Sequence, residues 1–379
     1  MKIAILGHGT VGRGVDEIIA DCIPSLEVAR ILELPDRCTD ERMTSDFDDI
    51  AQDPSIEAVV ECMGGIEPAH TYIVAALRAG KHVITSNKAV VAEYLTEFAH
   101  EAAAAGVGLF VEATCGGGIP WIASIEKVRR IDEVSSFSGI LNGTTNYIID
   151  EMARKGLDFD VVLARAQELG YAEADPSADI DGIDVRNKTI ITAAVAFGVA
   201  CTTEFPVTGM RTLTKADMDM LHAHGMSVKV LGRGVCKDQR YAVAVEPVAL
   251  PERSLEACVP ANNNIASVTG ATIGELKFYG QGAGSLPTGN AMVQDLLDCQ
   301  NGVRPTYDMS AELSYDPTLL VSDYLLRTTA EVPAEAEAFD EGVWRMHKLT
   351  ATEARELFER ICKDDPTSFM AAIAEGAED

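Results

Sequence analysis

The chain has 379 residues, 47% of them hydrophobic and 24% charged, which suits a globular protein with room for two or three domains. A formal charge of -28 argues against nucleic acid and anionic membranes as partners, and no apolar run approaches the roughly 18 residues of a membrane span. Nine scattered cysteines without a C-x-x-C pair, and seven histidines without H-E-x-x-H, predict a reducing, cytoplasmic setting with neither disulfides nor a zinc site.

Met1-Lys2 leads directly into an apolar run at residues 3–6, so a strand rather than a signal peptide is expected at the start. A helix over 11–22 and a strand over 27–34 follow. Residues 58–62 and 82–85 read as buried strands, separated by a helix over 71–79 that ends at Gly80. A helix over 89–105 closes at Gly106, and 108–112 is another strand. This alternation predicts an α/β fold with a Rossmann-type doubly wound parallel sheet.

The texture changes near Asp132. Residues 135–141 alternate like a half-exposed strand, and helices are predicted over 146–155, 160–169, 185–200 and 216–230. Strands are expected over 241–247 and 276–279, which gives a second, α+β domain. A helix over 284–298 is expected to return to the first domain. Beyond Arg327 lies a tract rich in Glu and Ala over 331–341, then an amphipathic helix over 351–362. The expected division is 1–131 with 283–325 for the nucleotide domain, 132–282 for the substrate domain, and 326–379 as a C-terminal extension.

Gly7-His8-Gly9-Thr10-Val11-Gly12 matches G-x-G-x-x-G between a strand and a helix, the context that dinucleotide binding requires. Gly7 allows the tight turn, Gly9 lets backbone approach a pyrophosphate, and Gly12 lets the helix pack on the strand. The pyrophosphate would lie at the helix N-terminus, where free N–H groups favour anions. Glu33, about 20 residues on, stands where a carboxylate bonds the ribose 2′-hydroxyl of NAD, whereas Arg37 just beyond it would suit the 2′-phosphate of NADP. The reading leans to NAD.

Three further segments carry chemistry. Glu112-Ala113-Thr114-Cys115-Gly116-Gly117-Gly118-Ile119-Pro120 is a second glycine-rich turn whose carbonyls suit a small cation or, alternatively, a phosphate. Asn142-Gly143-Thr144-Thr145-Asn146 opens a helix; its N–H groups and hydroxyls suit a substrate carboxylate, and plain N-capping is the alternative. The stretch from Gly170 to Lys188 sets Glu173, Asp175, Asp179, Asp181 and Asp184 before a nearly apolar helix. Acid at that density is costly unless it is paired or meets a cation such as a substrate ammonium. Asp184 and Lys188, at i and i+4, share a helix face that continues into an apolar stretch, so they point to an internal cleft rather than to a surface pair. Lys88 ends Thr85-Ser86-Asn87-Lys88 at the carboxyl end of a strand, where doubly wound folds bind ligands.

Taken together these blocks, with residues 139–148 and Gly280-Gln281-Gly282-Ala283-Gly284-Ser285-Leu286-Pro287-Thr288, resemble homoserine dehydrogenase over residues 1 to about 325. The resemblance implies NAD(P)-dependent interconversion of L-homoserine and L-aspartate 4-semialdehyde in threonine, methionine and isoleucine biosynthesis, by a homodimer or homotetramer. It implies Lys188 as the acid/base, assisted by Lys88 and Asp184. Glu173 would bind the substrate ammonium, with Asp179 and Asp184 completing the acidic cup and Gly143, Thr144 and Tyr171 lining the substrate. Gly7, Gly9, Thr10, Val11, Gly12, Glu33, Cys62, Gly64, Ser86, Lys88, Gly284 and Thr288 would hold the cofactor. A monovalent cation, sodium, would be held largely by the carbonyls of Glu112, Cys115, Gly117 and Ile119. The chain departs from many relatives after Tyr324-Leu325-Leu326-Arg327, which resembles the first strand of an ACT regulatory domain while the remainder is too short to complete one. A dehydrogenase for another amino-acid aldehyde, or a non-catalytic nucleotide sensor, are the competing readings.

Overall fold

The computed structural model describes residues 1–377 and divides into two compact units. The first comprises Met1–Lys127, Gly198–Cys201 and Gly280–Ala311; the second comprises Val128–Phe197, Thr202–Tyr279 and Glu312–Asp379.

Six strands build the first unit: β1 (Lys2–Leu6), β2 (Glu27–Leu32), β3 (Met43–Thr44), β4 (Ala58–Glu61), β5 (His82–Thr85) and β6 (Leu109–Phe110). All neighbouring pairs are parallel in the order β3-β2-β1-β4-β5-β6, the doubly wound arrangement with its reversal between β1 and β4. The four residues from Ile3 to Leu6 and the four of β4 are each 0% exposed, because a parallel sheet is covered on both faces. Part of that cover comes from far along the chain: the helix Ser285–Gln300 contributes Met292, Val293 and Leu296 to the core around β1. β6 is shorter than the predicted strand over 108–112, since Glu112–Thr114 leaves the sheet as a 3-10 turn.

The second unit is built on one mixed sheet. Its strands are β7 (Val134–Ile140), β8 (Met226–Lys237), β9 (Arg240–Pro251), β10 (Asn263–Gly270), β11 (Gly274–Gln281), β12 (Ser314–Tyr315), β13 (Val321–Arg327), β14 (Glu337–Asp340), β15 (Val343–Thr350) and β16 (Phe369–Ile373). Their order is β11-β10-β7-β8-β9-β16-β13-β15-β14, with β12 paired to β9. β8 and β9 form a long antiparallel hairpin, closed by Asp238 and Gln239 with φ of 51° and 58°, the conformation of a primed turn. The helix predicted over 216–230 is therefore only Lys215–Ala223. Gly225, at φ 70°, turns the chain, and Met226, Val228 and Val230 enter β8 as buried, largely β-branched strand residues.

The helix Ile183–Phe197 is buried along nearly its whole length and packs on β7, β8 and β9. Gly232 of β8 makes that approach possible: a Cβ there would stand 2.3 Å from the Thr189 hydroxyl oxygen.

The domain boundaries differ from expectation at the C-terminal end. Residues 312–325 do not return with the first unit, because β12 pairs with β9 at Arg240 and Tyr241 and β13 enters the second sheet. Nor is 326–379 a separate extension. β16 runs parallel to β9 through Ala372–Val248 and Ile373–Ala249, so the C-terminal strands continue the substrate-side sheet. Numbered from β13, they lie in the order 4-1-3-2, with the helix Ala351–Asp364 between the third and fourth. This is the ferredoxin-like arrangement without its first crossover helix. In place of that helix, Ala330, Val332 and Ala336 pack against the core.

Candidate active site

In the first unit, the chain leaves β1 through Gly7 at φ 87° and starts the helix Thr10–Cys22 after Gly9. The glycines do different work. A Cβ on Gly12 would lie 2.1 Å from the Gly7 carbonyl oxygen, whereas one on Gly9 would meet nothing within 4 Å. Gly12 thus permits helix-on-strand packing, and Gly9 leaves open space at the helix N-terminus, as pyrophosphate binding requires. The segment around Gly284 joins this site: Ser285 donates its hydroxyl to the Thr10 carbonyl at 2.7 Å, and a Cβ on Gly14 would strike Ser285. Gly284 (φ 123°) precedes the helix, and the Thr288 N–H bonds its carbonyl at 3.1 Å. The structure thereby brings the fingerprint and Gly284–Thr288 together.

Glu33 stands just past β2, where its carboxylate accepts the N–H groups of His8 at 3.1 Å and Leu34 at 3.0 Å. Partial burial pushes the carboxyl up, but those two bonds and the nearby Arg37 hold it below its usual value. Arg42 forks onto Asp16 (2.9 and 3.0 Å) and Asp40, so its charge is already committed. At the carboxyl ends of β4 and β5 lie Cys62 and Gly64 on one loop and Ser86 and Lys88 on the other. A Cβ on Gly64 would also meet nothing within 4 Å, and Lys88 is the first residue of the helix Lys88–Ala105.

The loop from Glu112 to Ile119 is also part of this unit. Gly116 and Gly117 have φ of 81° and 57°, and Gly117 lies so close to Gly282 that a Cβ would come within 2.5 Å of its carbonyl carbon. The Glu112 carboxylate is turned to the N-terminus of the helix Trp121–Arg129, accepting from Ile122 at 3.0 Å and Ala123 at 2.6 Å. Burial raises its carboxyl to about 7. Beside it, Asp295 is buried with an Oδ2 that has no hydrogen-bond partner among the described residues, and burial raises that carboxyl as well.

In the second unit the acidic stretch sorts into different roles. Asp175 caps the turn at Ser177 (3.0 Å), and Asp181 forks onto Arg211 at 2.8 and 2.6 Å. Asp179 and Asp184 instead converge on one amide: Asn142 Nδ2 donates to them at 2.7 and 2.8 Å. Lys188 Nζ donates to Asp184 at 2.9 Å and to the Leu141 carbonyl at 2.6 Å, and both members of this ion pair are buried. Asn142 also N-caps the helix Gly143–Lys155 through the Thr145 N–H, and Thr144 bonds the Tyr171 carbonyl at 2.6 Å. Tyr171 is half-exposed beside Tyr147, and Glu173 is exposed. The structure thus gathers Gly143, Thr144, Tyr171, Asp179, Asp184 and Lys188, with Glu173 on the solvent side of the same loop.

Two family models match this chain: Homoserine dehydrogenase over residues 120–297, and Homoserine dehydrogenase, NAD binding domain over residues 7–112. The homoserine dehydrogenase of a Synechocystis species is 39% identical over 79% of this chain and 73% of its own length. The chain belongs to the homoserine dehydrogenase family. It is thereby an NAD(P)-dependent oxidoreductase acting on a CH–OH group, of the family that interconverts L-homoserine and L-aspartate 4-semialdehyde. The homoserine dehydrogenase of Pseudomonas aeruginosa is 38% identical over 79% of this chain and 72% of its own. The solved homoserine dehydrogenase from Thiobacillus denitrificans superposes with a TM-score of 0.88 at 30% identity, covering 99% of this chain and 98% of that one. That likeness extends through the C-terminal strands, beyond the 79% shared with the relatives compared by sequence.

Three residues of this site escaped the reading of the sequence. Asn142 was visible as a helix cap but not as the amide joining two aspartates 37 and 42 residues away. Glu61 had a signal, an acid inside the apolar run Ala58-Val59-Val60. Asp295 had none, since a single acid on a helix is ordinary.

Proposed function

We propose that this chain reduces L-aspartate 4-semialdehyde and oxidises L-homoserine with Lys188 as the proton donor and acceptor at the substrate oxygen. The observation that carries this reading is the buried Asp184–Lys188 pair, with the ammonium 2.9 Å from the carboxylate beside the Asn142–Thr144 helix start. A buried ammonium needs a counter-charge, which Asp184 supplies, and an ammonium is the proton donor that aldehyde reduction needs. As negative charge builds on the substrate oxygen, the ammonium stabilises it and then hands over a proton. In the oxidative direction the amine must start neutral, so homoserine turnover rises with pH. Asn142 holds Asp179 and Asp184 in register, and Glu173, on the exposed loop, meets the substrate ammonium. Gly143 and Thr144 present the helix start to the substrate carboxylate. Lys88, at the carboxyl edge of the first unit's sheet, assists on the cofactor side.

Bound NAD(P) supplies or accepts the hydride, and Gly7, Gly9, Thr10, Val11, Gly12, Ser86, Gly284 and Thr288 are the residues that would hold it. We propose NAD over NADP. The support is that the Glu33 carboxylate lies just past β2, where this fold sets an acid to bond the ribose and repel a 2′-phosphate, while Arg42 is tied to Asp16 and Asp40. The loop Glu112–Ile119 fits a monovalent cation held by the carbonyls of Glu112, Cys115, Gly117 and Ile119. The support is local: two glycines in the left-handed region turn the loop, and the buried Asp295 Oδ2 nearby has no partner among the described residues.

The deciding experiment follows nicotinamide absorbance with L-homoserine at alkaline pH, supplying NAD+ and NADP+ in parallel. Faster turnover with NAD+ is expected. Faster turnover with NADP+ would overturn the role given to Glu33, and no turnover with either cofactor would overturn the assigned substrate.

A further inference from the structure

Glu61, the last residue of β4, is 0% exposed and follows three apolar residues, the place in a parallel sheet where a carboxylate is most costly. It is kept there by specific bonds. One carboxylate oxygen accepts the Met63 N–H at 2.7 Å, and the other accepts the Thr85 hydroxyl at 2.5 Å. Thr85 in turn accepts the Asn87 N–H at 3.0 Å. The Asn87 side chain donates to the Gly65 carbonyl at 2.8 Å and N-caps the helix Lys88–Ala105 through the Val90 N–H. A main-chain bond runs in parallel, from the Ser86 N–H to the Glu61 carbonyl at 3.2 Å.

One buried carboxylate therefore gathers two loops, 62–65 and 86–88, that leave the carboxyl ends of adjacent parallel strands. That is the ligand side of a doubly wound sheet. Packing alone would be served better by an apolar side chain. A carboxylate adds two directional acceptors, one for each loop, which fix where the second loop turns into its helix. Glu61 has no exposed surface, so its effect passes through its partners.

We propose that Glu61 is a positioning residue for the hydride-transfer reaction, setting Lys88 through the Thr85 hydroxyl and the Asn87 cap. The inference rests on the role given above to Lys88. Its expected signature is a loss of kcat without a loss of binding, because loops held slightly out of place impair alignment more than affinity.

The test compares Glu61→Gln, Thr85→Val, Thr85→Ser, the double variant Glu61→Gln/Thr85→Val, and Lys88→Ala in the full chain. NADH affinity is read by fluorescence, and kcat and KM for homoserine by steady-state turnover. Glu61→Gln and Thr85→Val are each expected to lower kcat by about 10- to 100-fold, with NADH affinity and KM within about twofold. Thr85→Ser, which restores the hydroxyl, is expected to recover most of the rate. The double variant is expected to lose less than the product of the two single losses, since both changes break the Glu61–Thr85 contact. If Glu61→Gln does not fold, the Thr85 pair carries the test, because valine keeps the shape of threonine. Wild-type kcat in Thr85→Val, or equal losses in Thr85→Ser and Thr85→Val, while Lys88→Ala is inactive, would overturn the positioning role and leave Lys88 standing. An active Lys88→Ala would overturn the reading of Lys88 and this inference with it.

Discussion

The two units bury several of their charges in different ways. In the first, Glu61 and Glu112 are carboxyls held by N–H groups and a hydroxyl, Asp295 is buried beside Glu112, and burial raises all three, to about 7 for the first two. In the second, buried acids face cations: Asp184 meets Lys188, Asp217 meets Arg327, and Glu246 meets Arg233. A carboxyl held by neutral donors can gain a proton with its bonds rearranged but its place kept, which suits loops that need fixed geometry. An ion pair sets a cation directly against the acid, which suits a group that must act as an ammonium. The second unit has exceptions: Asp132 and Asp365 are buried acids that accept from N–H groups and hydroxyls, and Lys229 is a buried lysine bonded to the neutral oxygens of Asn146 (2.7 Å) and Val259 (3.1 Å).

The contrast breaks first at Lys188. Lys188→Ala is expected to lower kcat by about 10³-fold while NADH affinity stays within about twofold; a matching loss of cofactor affinity would mean that the pair serves the fold rather than the chemistry. Arg327→Ala is expected next in size. It strands Asp217, which is 1% exposed, and should cost about 3 kcal/mol in urea unfolding. A cost near zero would show that the second unit does not depend on its pairs.

The first unit predicts a pH effect of definite sign. The Glu61 carboxyl is raised from 4.5 to about 7 by burial, against the pull of its Thr85, Met63 and Asn87 bonds. Between those values the folded chain holds a proton that the unfolded chain has released. Its contribution is therefore present at pH 4.5, is lost as pH rises to about 7, and is flat above. Each tenfold difference in proton affinity between the folded and unfolded chain is worth about 1.4 kcal/mol. Thermal melts from pH 5 to 8 should show a decline that Glu61→Gln flattens; an equal slope in both proteins would remove Glu61 as its source.

A pH effect of similar size and opposite sign is expected at Lys229, which burial lowers from 10.5 to about 8. From about 8 upward the unfolded chain binds the extra proton, so stability should rise with pH until 10.5, and Lys229→Met should lack that rise. Differential scanning calorimetry across the alkaline range would detect it, and an unchanged slope would place the effect elsewhere.

Much of the first unit was legible because its signals are local. Apolar runs, a glycine fingerprint and helix-closing glycines at Gly80 and Gly106 mark a parallel sheet with few alternatives. The ion pair at Asp184 and Lys188 was legible too, because helical spacing and an apolar continuation are both written along the chain. The sorting of the acids was not. Asp181 goes to Arg211, 30 residues away, and Asp179 goes to Asn142, 37 residues away; partners at such separations leave no trace in spacing. The start of β8 was misread because the pattern around Met220–Val230 suits a helix until Gly225 reverses the chain. β13 to β16 were largely missed: their pairing partners lie on β9 and on one another, and short half-exposed strands such as Glu337–Asp340 carry little apolar alternation.

The union of β16 with β9 bears on how this chain can be divided. The Homoserine dehydrogenase match ends at residue 297, which would tempt an experimenter to stop expression soon after the helix Ser285–Gln300. Such a fragment would lose β12 and β16, both of which pair with β9, and would bare the row of N–H and C=O groups they now satisfy. It would also uncover Val248 and Leu250, which share their apolar cluster with Tyr324, Leu326 and Met370. A long strand exposed in that way is a template for other chains, and the shortened protein would be recovered as aggregate rather than as a trimmed enzyme.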